Sequence, residues 1–148
     1  DGHAVLVTSE ADAEAVQAGV EYRAPADRVG TFADWLESCA RLGALADDAR
    51  LALPGHNRPF TGLPLRFRQL ADNHHAALDR LRRRLAARPT TAVECFETIF
   101  GRPIDDGAFG LACVEAVAHL NHLRALGEAT AEEDETGALR FRLLRGES

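Results

Sequence analysis

Apolar positions recur at helical spacing in three long stretches. After Thr31, a residue type that favours an N-cap, Phe32, Trp35, Leu36, Cys39, Leu42 and Leu45 lie on one stripe and predict a helix over 31–46. From 65 to about 87, Phe67, Leu70, His74, Ala77, Leu78, Leu81 and Leu85 share a face, opposite Arg66, Asp72, Asp79, Arg80, Arg83 and Arg84. A third helix is predicted over 108–126, with Leu111, Val114, Ala118, Leu120 and Leu123 as its apolar residues and Gly127 in the usual C-terminal position. A shorter helix over 92–100 follows Arg88-Pro89 and is capped by Thr90 or Thr91.

Short apolar runs predict strands at 4–8 and 50–53, the second running into Pro54. Ser9-x-x-Asp12 opens an acidic, Ala-rich helix to 18 that Gly19 ends, and 20–30 reads as loop. Near the end, 128–132 pairs with 138–143 across the acidic turn 133–137. Gly62-Leu63-Pro64 is a domain boundary, and the long helix after it links two domains. Three helices followed by a hairpin is the order of a winged helix.

With 148 residues, 46% hydrophobic, the chain suits one to two small domains with a core. No apolar run approaches the ~18 residues that span a bilayer, and no secretory signal opens the sequence, so a soluble, cytoplasmic protein with no membrane partner is expected. The chain has no methionine and no lysine: all 17 basic residues are arginine. A processed or excised piece of a longer protein is therefore expected. A net charge of -6 argues against a general nucleic-acid binder. Residues 1–63 carry 5 Arg against 10 acids, and residues 64–148 carry 12 Arg against 13 acids, so the second half is near neutral. Cys39, Cys95 and Cys113 are odd in number and form no C-x-x-C pair, which favours buried reduced thiols over disulfides or a zinc finger.

The stretch Leu51-Ala52-Leu53-Pro54-Gly55-His56-Asn57-Arg58-Pro59-Phe60 presents one histidine on a Pro-Gly turn at a strand end. A side chain there can point into a cleft. A surface turn with an incidental histidine fits the local pattern equally well. His74 and His75 are adjacent on a helix and point about 100° apart, so one is expected packed and one exposed. His119 and His122, at i and i+3, have a chelating spacing but are read as packing residues. His3 sits at a terminus that frays as readily as it binds metal. The Arg80, Arg82, Arg83, Arg84 and Arg88 cluster reads as a solvated helix face with salt bridges. Glu115 on the third helix and the four carboxylates at Glu132–Glu135 oppose contact with a phosphate backbone. Trp35 and Phe32 read as core or domain-packing residues.

Leu53-Pro54-Gly55-His56 resembles the final metal-ligand motif of metallo-β-lactamase-fold hydrolases. The resemblance extends to Pro59-Phe60, Asn73-His74-His75 with Leu78, Thr91-Ala92-Val93-Glu94, and Ala118-His119-Leu120-Asn121-His122-Leu123 with Gly127. In one branch of that family these pieces accompany a long helix and a winged-helix-like C-terminal domain. The stretch Thr31-Phe32-Ala33-Asp34-Trp35-Leu36-Glu37-Ser38 resembles the helix before the motif.

The resemblance implies an α+β fold: the last αβ portion of a four-layer αββα metallo-β-lactamase sandwich over 1–63, then a mostly helical winged-helix-like domain over 64–148. It implies a metal-dependent hydrolase in which metal-bound hydroxide attacks an ester, thioester or related bond. The implied cofactor is zinc, two ions in a complete site, with other divalent metals open. His56 is implied as a ligand of the second metal, and Asp1 as the carboxylate bridging the two. The family's His-x-His-x-Asp-His cluster has no counterpart in this chain, and Asn57 stands where a glycine commonly follows the motif histidine. The 148 residues alone are therefore expected to be inactive. The expected partners are the missing N-terminal half of the metallo-β-lactamase domain, a small ester or thioester substrate and a dimer partner, with nucleic acid disfavoured. The alternative is a non-enzymatic winged-helix module for interaction or nucleic-acid binding.

Overall fold

The computed structural model describes residues 5–7, 31–54 and 57–144. Its elements are β1 (Val5–Val7), α1 (Thr31–Leu45), β2 (Ala52–Pro54), α2 (Leu63–Ala87), a single 3₁₀ turn (Val93–Cys95), α3 (Phe96–Phe100), α4 (Phe109–Ala125), β3 (Ala129–Glu133) and β4 (Leu139–Leu143). The chain is thus α+β, with four helices among the described residues. The described residues form two compact units, and the division runs through α1 and α2. The helix read over 9–18 lies outside the described residues.

In the first unit, β1 and β2 run parallel, with Val5 opposite Ala52 and Val7 opposite Pro54. A buried cluster of Cys39, Ala52, Leu63 and Phe67 forms beside them, with Trp35, Ala46 and Phe60 packed against it. Trp35 is therefore a packing residue, as its place on the apolar stripe predicts. Between α1 and β2, the Asp47 carboxylate accepts the backbone N–H groups of Ala49 and Arg50, both at 3.0 Å, and fixes the turn. Beyond β2 the chain returns to the strand. Ala52 N–H donates to the Phe60 carbonyl at 2.8 Å, and Phe60 N–H donates to the Ala52 carbonyl at 3.2 Å. This bridge closes the loop around the Pro-Gly-His motif at its base. Asn57, inside that loop, has φ 71°, in the left-handed region. A glycine adopts that region freely, and asparagine is the side chain that tolerates it best. Asparagine here is thus compatible with the positive φ that a glycine would also allow.

The long helix starts at Leu63, two residues before the sequence pattern places it. Pro64 falls in the first turn, where its missing N–H has no intrahelical partner to lose. In the second unit the buried residues of α2 are Ala77, Leu78, Leu81 and Leu85. They share the interior with Cys95, Phe96 and Ile99, with Ala112, Ala116, Leu120 and Leu123 of α4, and with Ala129 and Phe141 of the hairpin. The stretch read as a helix over 92–100 is a 3₁₀ turn followed by α3. Thr91 is its cap. Thr91 N–H donates to the Glu94 carboxylate at 2.8 Å, and Glu94 N–H donates to Thr91 Oγ1 at 3.3 Å, a reciprocal capping box. Thr90 is instead fully buried and bridges to Phe141 through two backbone hydrogen bonds of 2.9 Å.

α4 begins after Asp105, whose carboxylate accepts the Ala108 N–H at 2.9 Å. It ends in a Schellman motif: Glu128 N–H donates to the Leu123 carbonyl and Gly127 N–H to the Arg124 carbonyl, with Gly127 at φ 71°. The antiparallel hairpin pairs Ala129 with Leu143 and Glu133 with Leu139. Asp134 organises its turn. Its carboxylate accepts the Thr136 hydroxyl, the Thr136 N–H at 2.9 Å and the Arg140 Nε–H at 2.6 Å. Those bonds, from Thr136 first and Arg140 next, hold its carboxyl well below the usual range.

Two outcomes follow from these turns. Asn57→Val should lower stability by about 1–2 kcal/mol because a β-branched side chain resists positive φ, while Asn57→Gly should not lower it, as read by urea unfolding. Asp134 titrates lower folded than unfolded, so its contribution is present above about pH 4 and lost as pH falls. The thermal midpoint should drop between about pH 5 and pH 3, and less so in Asp134→Asn. Equal drops in the two proteins would remove this turn from the acid sensitivity.

Candidate functional site

The two residues implied as metal ligands, Asp1 and His56, lie outside the described residues, as does His3. What the structure fixes is the frame beside His56. β2 ends at Pro54, and the Ala52–Phe60 bridge ties down the far side of the loop. Because β1 and β2 are parallel, the chain enters β1 at the edge opposite the one where it leaves β2.

Within the second unit three potential donors meet. His74 comes from α2, and Glu115 and His119 come from one face of α4, four residues apart. Their ligand atoms all lie within 4.8 Å of one another. His119 is fully buried, while His74 and Glu115 are half-buried. His119 Nδ1 lies 2.7 Å from the Glu115 carbonyl oxygen, and its Nε2 lies 3.0 Å from His74 Nδ1. A carbonyl only accepts, so His119 Nδ1 carries a hydrogen and donates it. In the neutral ring Nε2 is then the acceptor, and His74 Nδ1–H donates to it.

Phe32, buried at the start of α1, covers these rings. Its centroid lies 5.1 Å from that of His74 in a T-shaped contact, 4.5 Å from His119 and 4.8 Å from His122. Burial pushes the His122 imidazole below its ordinary range, and the nearby Arg82 guanidinium adds to this. Arg82 itself donates from Nε to Glu128 at 2.6 Å and from Nη1 to Asp79 at 2.8 Å. The hydrogen bond from Arg82 holds the Glu128 carboxyl low.

The sequence reading of the histidines holds in part. His74 packs and His75 is exposed. His119, however, pairs with His74 and Glu115 and not with His122. The i, i+4 spacing of Glu115 and His119 is visible in the sequence, and so is the position of His74 one turn before Leu78. Their meeting across two helices is not.

The arginine cluster is largely engaged within the second unit. Arg80 donates to the carbonyls of Thr98 and Ile99 at 2.7 Å each, at the C-terminal end of α3, where carbonyls attract cations. Arg82 pairs with Glu128, and Arg88 lies 4.0 Å from the Glu94 carboxylate. Cys39 and Cys95 are buried, Cys113 is half-buried, and none of the three is in a disulfide. Burial pushes the Cys95 thiol up to about 11, which leaves it un-ionised and a poor nucleophile at neutral pH. Among the described residues, no helix is long and apolar enough to cross a membrane.

Residues 78–144 match the family model for the metallo-beta-lactamase-like C-terminal domain. Among solved structures, the chain is similar to a beta-lactamase domain protein from Burkholderia ambifaria, at 35% identity and TM-score 0.68, over 74% of this chain and 32% of that one. It is also similar to a metallo-beta-lactamase family protein from Thermus thermophilus, at 30% identity and TM-score 0.61, over 76% of this chain and 33% of that one. The chain thus spans about a third of the length of these two structures. Among curated proteins, none matches. Residues 78–144 therefore match a metallo-beta-lactamase-like C-terminal domain, and about three quarters of the chain is similar to part of two metallo-beta-lactamase-type structures.

Proposed function

We propose that this chain is the C-terminal part of a metal-dependent hydrolase, with His56 serving as a metal ligand. The observation that carries this reading is the coincidence of the C-terminal domain match with Leu53-Pro54-Gly55-His56 at the end of a parallel strand. Loops at the carboxyl ends of such strands are where α/β folds gather ligand groups. A single neutral imidazole cannot hold a catalytic metal, which needs several protein donors and an open position. The sequence holds no His-x-His-x-Asp-His cluster, so those donors come from residues outside these 148, and the chain is inactive without them. Asp1 serves the same site only if the stretch before β1 folds back toward the far edge of the strand pair. A bound divalent metal, zinc in pairs by family analogy, supplies an activated water for cutting a small ester or thioester.

In this reading residues 1–63 complete the αββα sandwich, and residues 64–148 form the winged-helix-like appendage. Three cysteines outside any disulfide suit a reducing, cytoplasmic setting. A winged-helix regulator is the second reading, supported by the order of helices and hairpin. Acidic Glu132, Glu133, Asp134 and Glu135 at the hairpin tip weigh against a phosphate backbone as its partner.

Metal content and thioester hydrolysis should be measured on the protein joined to the upstream half that carries the missing cluster. His56→Ala should lower the bound metal and abolish turnover. Unchanged metal content in that variant would overturn the reading of His56. A salt-dependent shift of duplex DNA by the 148-residue chain, with no metal dependence, would favour the regulator instead.

A further inference from the structure

We propose that His74, Glu115 and His119 form a metal site of their own, for a single divalent cation of intermediate softness such as zinc. It shares no residue with the Pro-Gly-His turn. Two imidazoles and a carboxylate are a donor set that zinc accepts readily, with a fourth place left for water.

The geometry of His119 carries the argument. A histidine that ligates a metal generally donates its other ring N–H to a fixed acceptor, which sets the tautomer and aims the ring. Here the Glu115 carbonyl, 2.7 Å from Nδ1, does this before any ion arrives. His119 Nε2 is therefore the nitrogen left to accept; it lies 3.0 Å from His74 Nδ1, and the ligand atoms of all three residues lie within 4.8 Å of one another. In a tetrahedral zinc site with bonds of ~2.0–2.1 Å, neighbouring ligand atoms sit about 3.3 Å apart. The two nitrogens, 3.0 Å apart, are near that spacing; to bind, the rings turn so that both lone pairs face the ion, and the Glu115 carboxylate draws in from within 4.8 Å.

The proton balance is simple. The hydrogen on His74 Nδ1 leaves and the ring takes one up at Nε2, so the imidazole stays neutral while Nδ1 binds the ion. The Glu115 carboxylate offsets one of the two positive charges. Phe32 and the full burial of His119 shield the place from bulk water and strengthen these attractions. A cation there would join α2 to α4 and stabilise the folded unit, since the unfolded chain holds no such arrangement.

Zinc chloride should be added to the His56→Ala chain, which removes the turn histidine from the account. One zinc should remain bound and the thermal midpoint should rise. Adding His74→Asn, or separately Glu115→Gln, should remove that zinc and cancel the rise. Cobalt(II) in its place should show the visible absorption of a four-coordinate site. In the unmutated chain, the ¹⁵N signals of His74 should report the exchange of Nδ1–H for Nε2–H on zinc addition. Equal zinc content with and without His74→Asn, or histidine ¹⁵N signals unmoved by excess zinc, would overturn the proposal and leave His74 and His119 as a plain hydrogen-bonded pair. The ¹⁵N measurement decides the matter even where a variant fails to fold. Neither result depends on hydrolytic activity, so this site and the hydrolase reading can fail separately.

Discussion

A fully buried imidazole cannot leave a ring nitrogen without a partner, because an unsatisfied polar atom in the interior costs about 1–3 kcal/mol. His119 is that imidazole in this chain. One nitrogen is answered within its own helix by the Glu115 carbonyl, and the other by His74 on α2. The second answer is the consequential one. It sets a specific depth and rotation for α2 against α4, which apolar contact alone leaves loosely defined. Arg82 to Glu128 and Arg80 to the end of α3 act in the same sense further along the helix. Three polar links spaced along α2 therefore hold it in register with the rest of its unit.

Elements governed by local chemistry were legible in the sequence. Period-3.6 stripes marked α1 and α2, Gly127 marked the end of α4, and alternation around an acidic turn marked the hairpin; in α4 the helix was found but its inner face was not, since Ala112, Ala116 and His119 are buried while Leu111 and Val114 are exposed. The misses arose where a local pattern had two readings. Thr90 and Thr91 look alike as caps, and only tertiary pairing with Phe141 draws Thr90 into the interior. Pro64 reads as a boundary yet sits comfortably inside a first turn. The His74, Glu115 and His119 cluster was not legible. Its two halves are separated by about forty residues, and nothing local records which histidine of each pair faces inward.

Asn57 shows how a departure from a family pattern can be conservative in backbone terms. The family's glycine and this asparagine differ in side chain but both permit the left-handed turn that the chain takes after the strand end. The Ala52–Phe60 bridge and the positive φ of Asn57 are the two features fixed on the far side of the Pro-Gly-His stretch.

The Thr90–Phe141 bridge has a consequence for how the second unit assembles. It joins the residues just before the first short helix to the last strand, so it encloses the 3₁₀ turn, α3, α4 and most of the hairpin in one chain loop. Closing so long a loop is entropically unfavourable until the helices inside it have already docked. The bridge is thus the seam of the unit. Its two backbone hydrogen bonds join the ends of that enclosed segment, so the segment cannot leave the unit without breaking them.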